Sequence, residues 1–260
     1  DGSGLFAPHV IAAMGGSAAP SMGTDGTGAR LMQALGHEIT PLYPALVQLR
    51  CSHPALKGLK GIRMQAELTL MIDDQAVLRE TGELLLTDYG VSGVCVFQLP
   101  REAAPALAQG RSVRLAVNFL PEIPSLLPWL DARIRQLAPA SLLTLTTGVL
   151  PRLLAQTVIR EARLSPDMPA EALSESEKQA LCGALSAFPL VVTGTQGFAN
   201  AQVTRGGVSL ADVDPSTMAS RLFDGLHIIG ELLDVDGPCG GYNLHFAFAG
   251  ALAAAKAIAG

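Results

Sequence analysis

The hydrophobic residues near the start of the chain form a short, unbroken run. Residues 10–14 are apolar throughout, which is typical of a strand that is buried on both faces of a sheet. Two glycines at 15–16 interrupt the run, and a loop of small residues follows. A helix is predicted next, with Thr24 or Asp25 as its N-cap and Gly36 at its end. This order of strand, loop and helix predicts α/β structure.

The middle of the chain shows the two-residue alternation of β-strands. Residues 64–72 alternate in part between apolar and polar side chains, and a turn is predicted at Asp73 and Asp74. Residues 83–87 and 113–117 also have the composition of strands. Several short strands at this spacing predict a small barrel or a sandwich.

Residues 122–187 show helical periodicity instead. Apolar residues recur every three or four positions in two stretches, which predicts two amphipathic helices. Their apolar stripes consist of Leu126, Leu130, Ile134 and Leu137 in the first and Leu150, Leu153, Leu154, Val158 and Ile159 in the second. A third helix is predicted to begin at Ser174, because Ser174 and Glu177 have the spacing of a capping box.

Residues 188–260 return to the α/β pattern. Residues 225–243 contain an apolar strand followed by an acidic, glycine-rich loop, and a helix then runs towards Gly260. On this helix we expect one apolar face, because apolar residues recur at spacings of four and three. That face would consist of Leu244, Phe248, Ala251, Ala255 and Ile258.

These patterns predict an α/β fold with an α+β insertion. Residues 1–44 and 188–260 would form one discontinuous α/β domain, interrupted by a β-barrel-like insert at 45–121 and a helical insert at 122–187. The alternative is two unrelated consecutive domains. We favour the interrupted domain because neither flank alone has enough strands for a stable open sheet.

Composition excludes several classes of partner and site. The 260 residues contain 18 Lys and Arg against 23 Asp and Glu, and this net charge of −5 argues against a nucleic-acid partner. No apolar run reaches the ~18 residues that span a bilayer, so no membrane partner is expected. The four cysteines lie far apart without zinc-site spacing. They indicate reduced thiols, and with no signal peptide in view we expect a cytoplasmic protein.

The acidic loop near the end of the chain carries the clearest candidate chemistry. Glu231, Asp234 and Asp236 follow a predicted strand, and the glycines at 240–241 open the final helix. Ligands of open α/β sheets bind beyond the carboxyl ends of strands. The acids can bond ribityl or ribose hydroxyls, and the helix start can stabilise negative charge on a flavin ring. Alternatively, the acids are only the surface residues of a turn. A magnesium or calcium site built from Asp234 and Asp236 is a further alternative, although two carboxylates are too few for a dedicated calcium site.

Five ordered motifs resemble the BaiN-like flavoproteins, which are NAD(P)/FAD-dependent oxidoreductases also described as the aminoacetone oxidase family. The resemblance covers nearly the whole chain and is densest after the last predicted strand. The motifs are Met14-Gly15-Gly16 with Gly23-Thr24-Asp25-Gly26 and Leu35-Gly36-His37; Pro44-Ala45-Leu46-Val47; Gly82-Glu83-Leu84 with Ser92-Gly93; Val203-Thr204-Arg205-Gly206-Gly207-Val208; and Gly230-Glu231 with Leu233-Asp234-Val235-Asp236-Gly237 and Gly240-Gly241-Tyr242-Asn243.

The resemblance implies a flavin-binding, doubly wound α/β domain interrupted by a small β-barrel and a helical subdomain. It implies that Gly15 and Gly16 approach the flavin from one strand. The residues that would line the flavin from the last loop and helix are Glu231, Asp236, Gly240, Gly241, Tyr242 and Asn243. The loop of Tyr89 and Ser92 would face the substrate.

Some roles remain open at the level of sequence. His245, one turn into the last helix, is placed to reach the flavin edge, and a packing role is an equal alternative. Tyr242 has a core or capping role as its alternative, and an ordinary turn is the alternative for Tyr89 and Ser92. No side chain is identified as a catalytic acid or base.

The chain departs from the family at one point. Family members begin with a strand and a GxGxxG turn that binds the FAD pyrophosphate, and this fingerprint is absent here. The sequence therefore looks like the family without its N-terminal third. We expect the intact parent to transfer hydride through FAD between NAD(P)H and a small organic molecule, and the chain alone to bind FAD weakly or not at all. The alternatives are a non-catalytic interaction module and a metal-dependent hydrolase.

Overall fold

The computed structural model describes residue 4 and residues 6–260 and divides into two compact units. The first, the α/β unit, contains the described residues up to Val47 together with Gln196–Gly260, and the second, the barrel unit, is Gln48–Thr195. The divisions expected at 44/45 and 187/188 therefore differ from the observed ones. The larger difference arises because residues 188–195 are a barrel strand and not part of the α/β flank.

The described chain contains strands, α-helices and short 3-10 helices. The strands are β1 (Val10–Ala12), β2 (Tyr43–Ala45), β3 (Leu49–Ser52), β4 (Arg63–Ile72), β5 (Gln75–Leu86), β6 (Gly90–Ser92), β7 (Val113–Asn118), β8 (Phe188–Thr195), β9 (Val203–Arg205) and β10 (Leu226–Ile228). The α-helices are α1 (Thr27–Ala34), α2 (Leu56–Leu59), α3 (Val94–Phe97), α4 (Pro100–Ala108), α5 (Leu126–Leu137), α6 (Leu142–Leu145), α7 (Arg152–Glu161), α8 (Glu175–Ser186) and α9 (Tyr242–Ala259). Short 3-10 helices lie at Pro20–Met22, Ala170–Ala172, Phe198–Asn200, Leu210–Asp212 and Gly230–Leu232.

The barrel unit is built on a closed six-stranded antiparallel barrel in the order β3-β6-β5-β4-β7-β8. Asp73 and Asp74 connect β4 to β5 with φ of 48° and 65°, the left-handed conformation that a two-residue hairpin turn requires. Leu68, Leu70 and Ile72 alternate into the interior. The predicted turn and barrel are thus confirmed, and with them the mixed α/β fold class with a barrel insertion.

The helices of the barrel unit share one core with the barrel. Leu130, Val158 and Leu185 belong to the same buried cluster as Leu68 of β4. The predicted capping box is confirmed, since Ser174 Oγ accepts from the amide of Glu177 at 3.3 Å and Glu177 Oε2 accepts from the amide of Ser174 at 2.8 Å. The residues predicted as a helical insert and those predicted as a barrel insert therefore pack as one body.

The α/β unit contains two small sheets. β1 pairs with β10 in parallel, and β2 pairs with β9 antiparallel. The expectation that the first strand is buried on both faces is wrong, because Val10 and Ile11 are 55% and 43% exposed. Among the described residues β10 is the only strand paired with β1.

The start and end of α1 follow from its flanking residues. Gly26, in the left-handed conformation, is the N-cap and not Thr24 or Asp25, although Asp25 Oδ1 accepts from the amide of Thr27 at 2.9 Å. The helix ends before Gly36, which has φ of 94°, as predicted.

The apolar face predicted for α9 is not the face that packs against the unit. Leu244 and Phe248 are 68% and 69% exposed, whereas Gly250 and Ala254 are buried. A β-carbon at residue 250 would lie 3.7 Å from the sulfur of Met218 and 3.9 Å from Cβ of Ile229. The face with the smallest side chains packs inward because it permits the closest approach of the helix. Among the described residues, no helix is both long and apolar enough to cross a bilayer.

We predict that Gly93→Ala destabilises the barrel unit by more than about 3 kcal/mol. Gly93 has φ of 116°, and a β-carbon there would collide with the carbonyl oxygen of Glu83 on β5. Gly110→Ala is the matched control, because Gly110 also has positive φ (73°) but nothing within 4 Å, and it should cost only about 1 kcal/mol. Urea unfolding measures both; equal losses would contradict the role of the collision.

Candidate functional site

An open pocket of about 320 Å³ lies within the α/β unit at the start of α9. It is lined by Leu46, Gln202, Val203, Glu231, Pro238, Cys239, Gly240, Gly241, Asn243, Leu244 and Ala247. Its volume falls at the lower end of the range for small-molecule sites. The pocket therefore brings together the acidic loop, the helix start and the segments next to β2 and β9.

The start of α9 presents free space and backbone donors that no side chain among the described residues caps. Gly240 and Gly241 have φ of 126° and 91°, and a β-carbon at Gly241 would meet nothing within 4 Å. No side chain caps the helix, and its first backbone bond runs from the amide of His245 to the carbonyl of Gly241. The preceding amides therefore make no bond within the helix and concentrate positive potential at the pocket. The surface beside Gly241 therefore has free space next to these amides.

Asn243 holds the glycine-rich loop against the helix start. Its Oδ1 accepts from the amide of Gly237 at 2.6 Å, and its Nδ2 donates to the carbonyl of Gly237 at 3.0 Å. A β-carbon at residue 237 would lie 2.9 Å from Cβ of Tyr242, so only glycine fits there. These bonds fix the loop that forms one wall of the pocket.

Glu231 joins the pocket to the Gly15–Gly16 bend. Its Oε1 accepts from the amide of Thr204 at 2.9 Å. A β-carbon at Gly16 would lie 2.5 Å from the same oxygen and would overlap the hydroxyl of Thr204. The bend therefore contacts Glu231 directly, while Gly16 itself is not a lining residue.

Thr204 is a residue of this site to which sequence reasoning gave no role. It is fully buried, and its Oγ1 accepts from the amides of Ser17 and Ala18 at 2.7 and 2.9 Å. The only sequence signal was its place in the family motif that starts at Val203. Its partners lie more than 180 residues away along the chain, so no local pattern indicates them.

Burial raises the pKa of the Glu231 carboxyl above its ordinary value, although its hydrogen bonds to Thr204 act in the opposite direction. Its burial makes the charged form costly and favours the protonated form. Glu231 thus combines a structural bond to β9 with a carboxyl group at the pocket wall.

Of the predicted residues, Glu231, Gly240, Gly241 and Asn243 line this pocket. Asp234 and Asp236 are half-buried in the loop but are not lining residues, and Tyr242 and His245 are exposed on the first turn of α9. Tyr89 and Ser92 belong to the barrel unit, with Tyr89 half-buried in the turn after β5 and Ser92 buried in β6. Their roles at a flavin or substrate remain predictions.

Leu46 and Gln202 are among the lining residues to which the sequence gave no role at this site. Leu46 is buried and has φ of 47°, a left-handed conformation that is unusual for leucine, and its carbonyl accepts from the amide of Gln202 at 3.3 Å. A single sequence contains no signal that predicts this left-handed backbone conformation at a leucine. Within the described residues, no group of three His, Cys, Asp or Glu side chains is placed to share a metal ion.

Comparison with known proteins identifies the relatives of this chain. The model of the family described as HI0933-like protein Rossmann domain matches residues 1–257. The chain is 37% identical over 262 residues to the 3-dehydro-bile acid delta(4,6)-reductase of Clostridium scindens, covering 100% of the chain and 64% of that protein. These matches confirm the resemblance to BaiN-like oxidoreductases.

Two ribosomal RNA dihydrouridine synthases are similar at lower identity. Those of Escherichia coli and Haemophilus influenzae are 31% and 28% identical over 95% and 96% of the chain, and over 60% of each relative. The chain thus spans 60–64% of the length of these three curated relatives.

We predict that Thr204→Val lowers the free energy of unfolding of the α/β unit by about 2–4 kcal/mol, since the half-buried amide of Ser17 and the buried amide of Ala18 lose their acceptor. Thr204→Ser is the control, because it keeps the hydroxyl and should retain most of the stability. Urea unfolding followed by circular dichroism measures both. A Val variant as stable as the Ser variant would show that the hydroxyl does not hold the bend.

We predict that Glu231→Gln removes a pH dependence of stability. Because the folded state raises the pKa of Glu231 above 4.5, it binds the proton more tightly than the unfolded chain does. The free energy of unfolding therefore falls as the pH rises from the unfolded to the folded pKa. Gln keeps the acceptor oxygen and should flatten this decline, whereas Glu38→Gln, at an exposed residue of the same unit, should not. Parallel urea curves of all three proteins between pH 4 and 8 provide the measurement.

Proposed function

Because the chain belongs to the HI0933-like family of Rossmann-domain proteins, we propose that it forms the C-terminal part of an FAD-dependent oxidoreductase. The observation that carries the proposal is the open start of α9, which no side chain among the described residues caps and which lines a pocket with free space beside Gly241. Reductase chemistry in the Clostridium scindens relative supports it.

The residues present fit a flavin. When bound, FAD supplies hydride transfer between two organic molecules. The amides at the start of α9 stabilise negative charge on the ring, and the Gly237–Asn243 bonds keep the loop in place. Glu231 and Thr204 position the Gly15–Gly16 bend. Asp234 and Asp236 lie in the loop before α9, where their carboxylates would accept hydrogen bonds from the ribityl or ribose hydroxyls.

We propose that the parent protein contains a further N-terminal segment with the GxGxxG turn. More than a third of each curated relative has no counterpart in this chain. Without that turn the FAD pyrophosphate lacks the helix N-terminus that would be its main binding site, so this chain alone would bind FAD weakly. NAD(P)H is the proposed hydride donor, and a reducing, cytoplasmic setting agrees with four free cysteines.

A small organic substrate is favoured over RNA. Two relatives act on ribosomal RNA by name, so RNA is the specific alternative. RNA-binding surfaces carry an excess of Lys and Arg. Here residues 48–195 contain 14 basic and 14 acidic residues, and the rest of the chain is acidic by five charges. A non-catalytic module that retains the barrel remains the alternative of a different class.

We predict that Gly241→Ala weakens FAD binding by the parent protein at least tenfold, because the added methyl group fills the space above the helix start. Gly36→Ala is the matched control, since Gly36 has nearly the same φ (94° against 91°) and likewise nothing within 4 Å. Both variants carry the same backbone strain, so only the site differs. Flavin absorbance after equilibrium dialysis measures the affinity.

If Gly241→Ala binds FAD as tightly as Gly36→Ala does, the pocket is not the flavin site. A parent protein that shows no flavin spectrum at saturating FAD would favour the non-catalytic module. Turnover with NAD(P)H and a steroid ketone, compared with turnover on ribosomal RNA, separates the two substrate classes.

A further inference from the structure

A second pocket of the α/β unit, the apolar pocket, is lined by apolar side chains alone. Its volume is about 250 Å³, and its lining residues are Leu210, Val213, Pro215, Met218, Leu233, Val235 and Phe246. Val213, Met218 and Leu233 are buried. Leu210 and Pro215 are exposed, so the pocket has a buried floor and opens to solvent beside these two residues.

The backbone amides of the buried floor are already hydrogen-bonded. The amides of Val213, Met218 and Leu233 donate to backbone carbonyls at 3.4, 2.7 and 3.1 Å. The amide of Val235 on the wall donates to the carbonyl of Leu233 at 2.7 Å. An ordered water in a cavity needs about two to four polar partners. The floor offers it no free amide, so an apolar occupant is favoured over water.

Met218 is held at this floor in a conformation that is unusual for methionine. Its φ of 56° lies in the left-handed region. Its carbonyl accepts from the amide of Ile228 at 2.8 Å, which ties the residue to β10. Such strained residues cluster at ligand-binding sites. The thioether is polarisable and makes favourable contacts with aromatic rings.

The apolar pocket lies beside the candidate site at the start of α9 and is distinct from it. The two pockets share no lining residue. Leu233 and Val235 flank Asp234 of the acidic loop, and Phe246 follows Asn243 by three residues on α9. An occupant of the apolar pocket therefore contacts the acidic loop and α9 through side chains that the first pocket does not use.

We infer that the apolar pocket is a binding site for a small, uncharged molecule with one aromatic ring or two fused rings. An apolar cavity of about 150 Å³ holds benzene, so the larger volume here accommodates one or two rings. The lining contributes no charged or polar side chain among the described residues, so a charged ligand would lose its hydration without compensation. Binding at this site does not require FAD.

A protein partner fits the apolar pocket less well than a small molecule does. The pocket has room for one inserted side chain, whereas specific protein interfaces bury on the order of 1,200 Å² or more.

The test titrates the 260-residue chain with indene in the absence of flavin. In ¹³C NMR spectra the methyl signals of Met218 and Val213 should shift and reach saturation, while that of Leu68 in the barrel unit should not move. Benzimidazole has the same ring shape with two ring nitrogens. It should bind about tenfold more weakly or worse, because the lining offers those nitrogens no partner.

Leu210→Trp should weaken indene binding about tenfold or more, because the larger side chain takes up the mouth of the pocket. Leu210→Asp is a second variant, which places a charge at the mouth and should also weaken binding. Leu222→Trp is the matched control. Leu222 lies in the same unit with similar exposure, 49% against 52%, and does not line the pocket, so indene affinity should be unchanged.

Several results would overturn the inference. They are the absence of saturating shifts up to the solubility limit of indene, equal affinities for indene and benzimidazole, and an equal loss of affinity in Leu210→Trp and Leu222→Trp. A dimer in sedimentation that Leu210→Asp dissociates would overturn it as well, since a second copy of the chain would then fill the pocket.

Discussion

The candidate site depends on the absence of a side chain at residue 16. The space that a β-carbon would take there is filled by the Thr204 hydroxyl and the Glu231 carboxyl. This close approach allows the Thr204 hydroxyl to accept hydrogen bonds from two backbone amides of the bend. It also allows the Glu231 carboxyl to accept a hydrogen bond from the Thr204 amide on β9. The bend, β9 and the loop before α9 are thereby tied together. Of these segments, β9 and the loop before α9 line the pocket, and Glu231 connects them to the bend.

The two units differ in how completely they bury their apolar residues. The barrel unit has one continuous core that includes both the strands and helices α5 to α8. The α/β unit has a smaller core and leaves both β1 and the outer face of α9 exposed. A site placed on a unit with open surfaces gains stability when those surfaces are covered. Flavin affinity and the folding of this unit are therefore expected to be linked.

Local sequence signals predicted the features that local interactions determine. The capping box at Ser174 and the turn at Asp73 and Asp74 are examples, and the ordered motifs identified the family. Features that depend on distant residues were missed or mistaken. β8 was assigned to the wrong unit because its partners are remote, and α9 packs through Gly250 and Ala254, which hydrophobicity ranks below leucine. Thr204 holds the bend through hydrogen bonds from residues more than 180 positions away along the chain.

The most direct test of flavin binding at the start of α9 is an amide NMR titration of the ¹⁵N-labelled chain with FAD. Weak binding suffices for this measurement. If FAD binds at the start of α9, the largest chemical-shift changes occur at the amides of Gly241 to Leu244 and at Gly16, while the amides of the barrel unit stay unchanged. Shifts confined to residues 48–195, or none at the start of α9 at millimolar FAD, would contradict it.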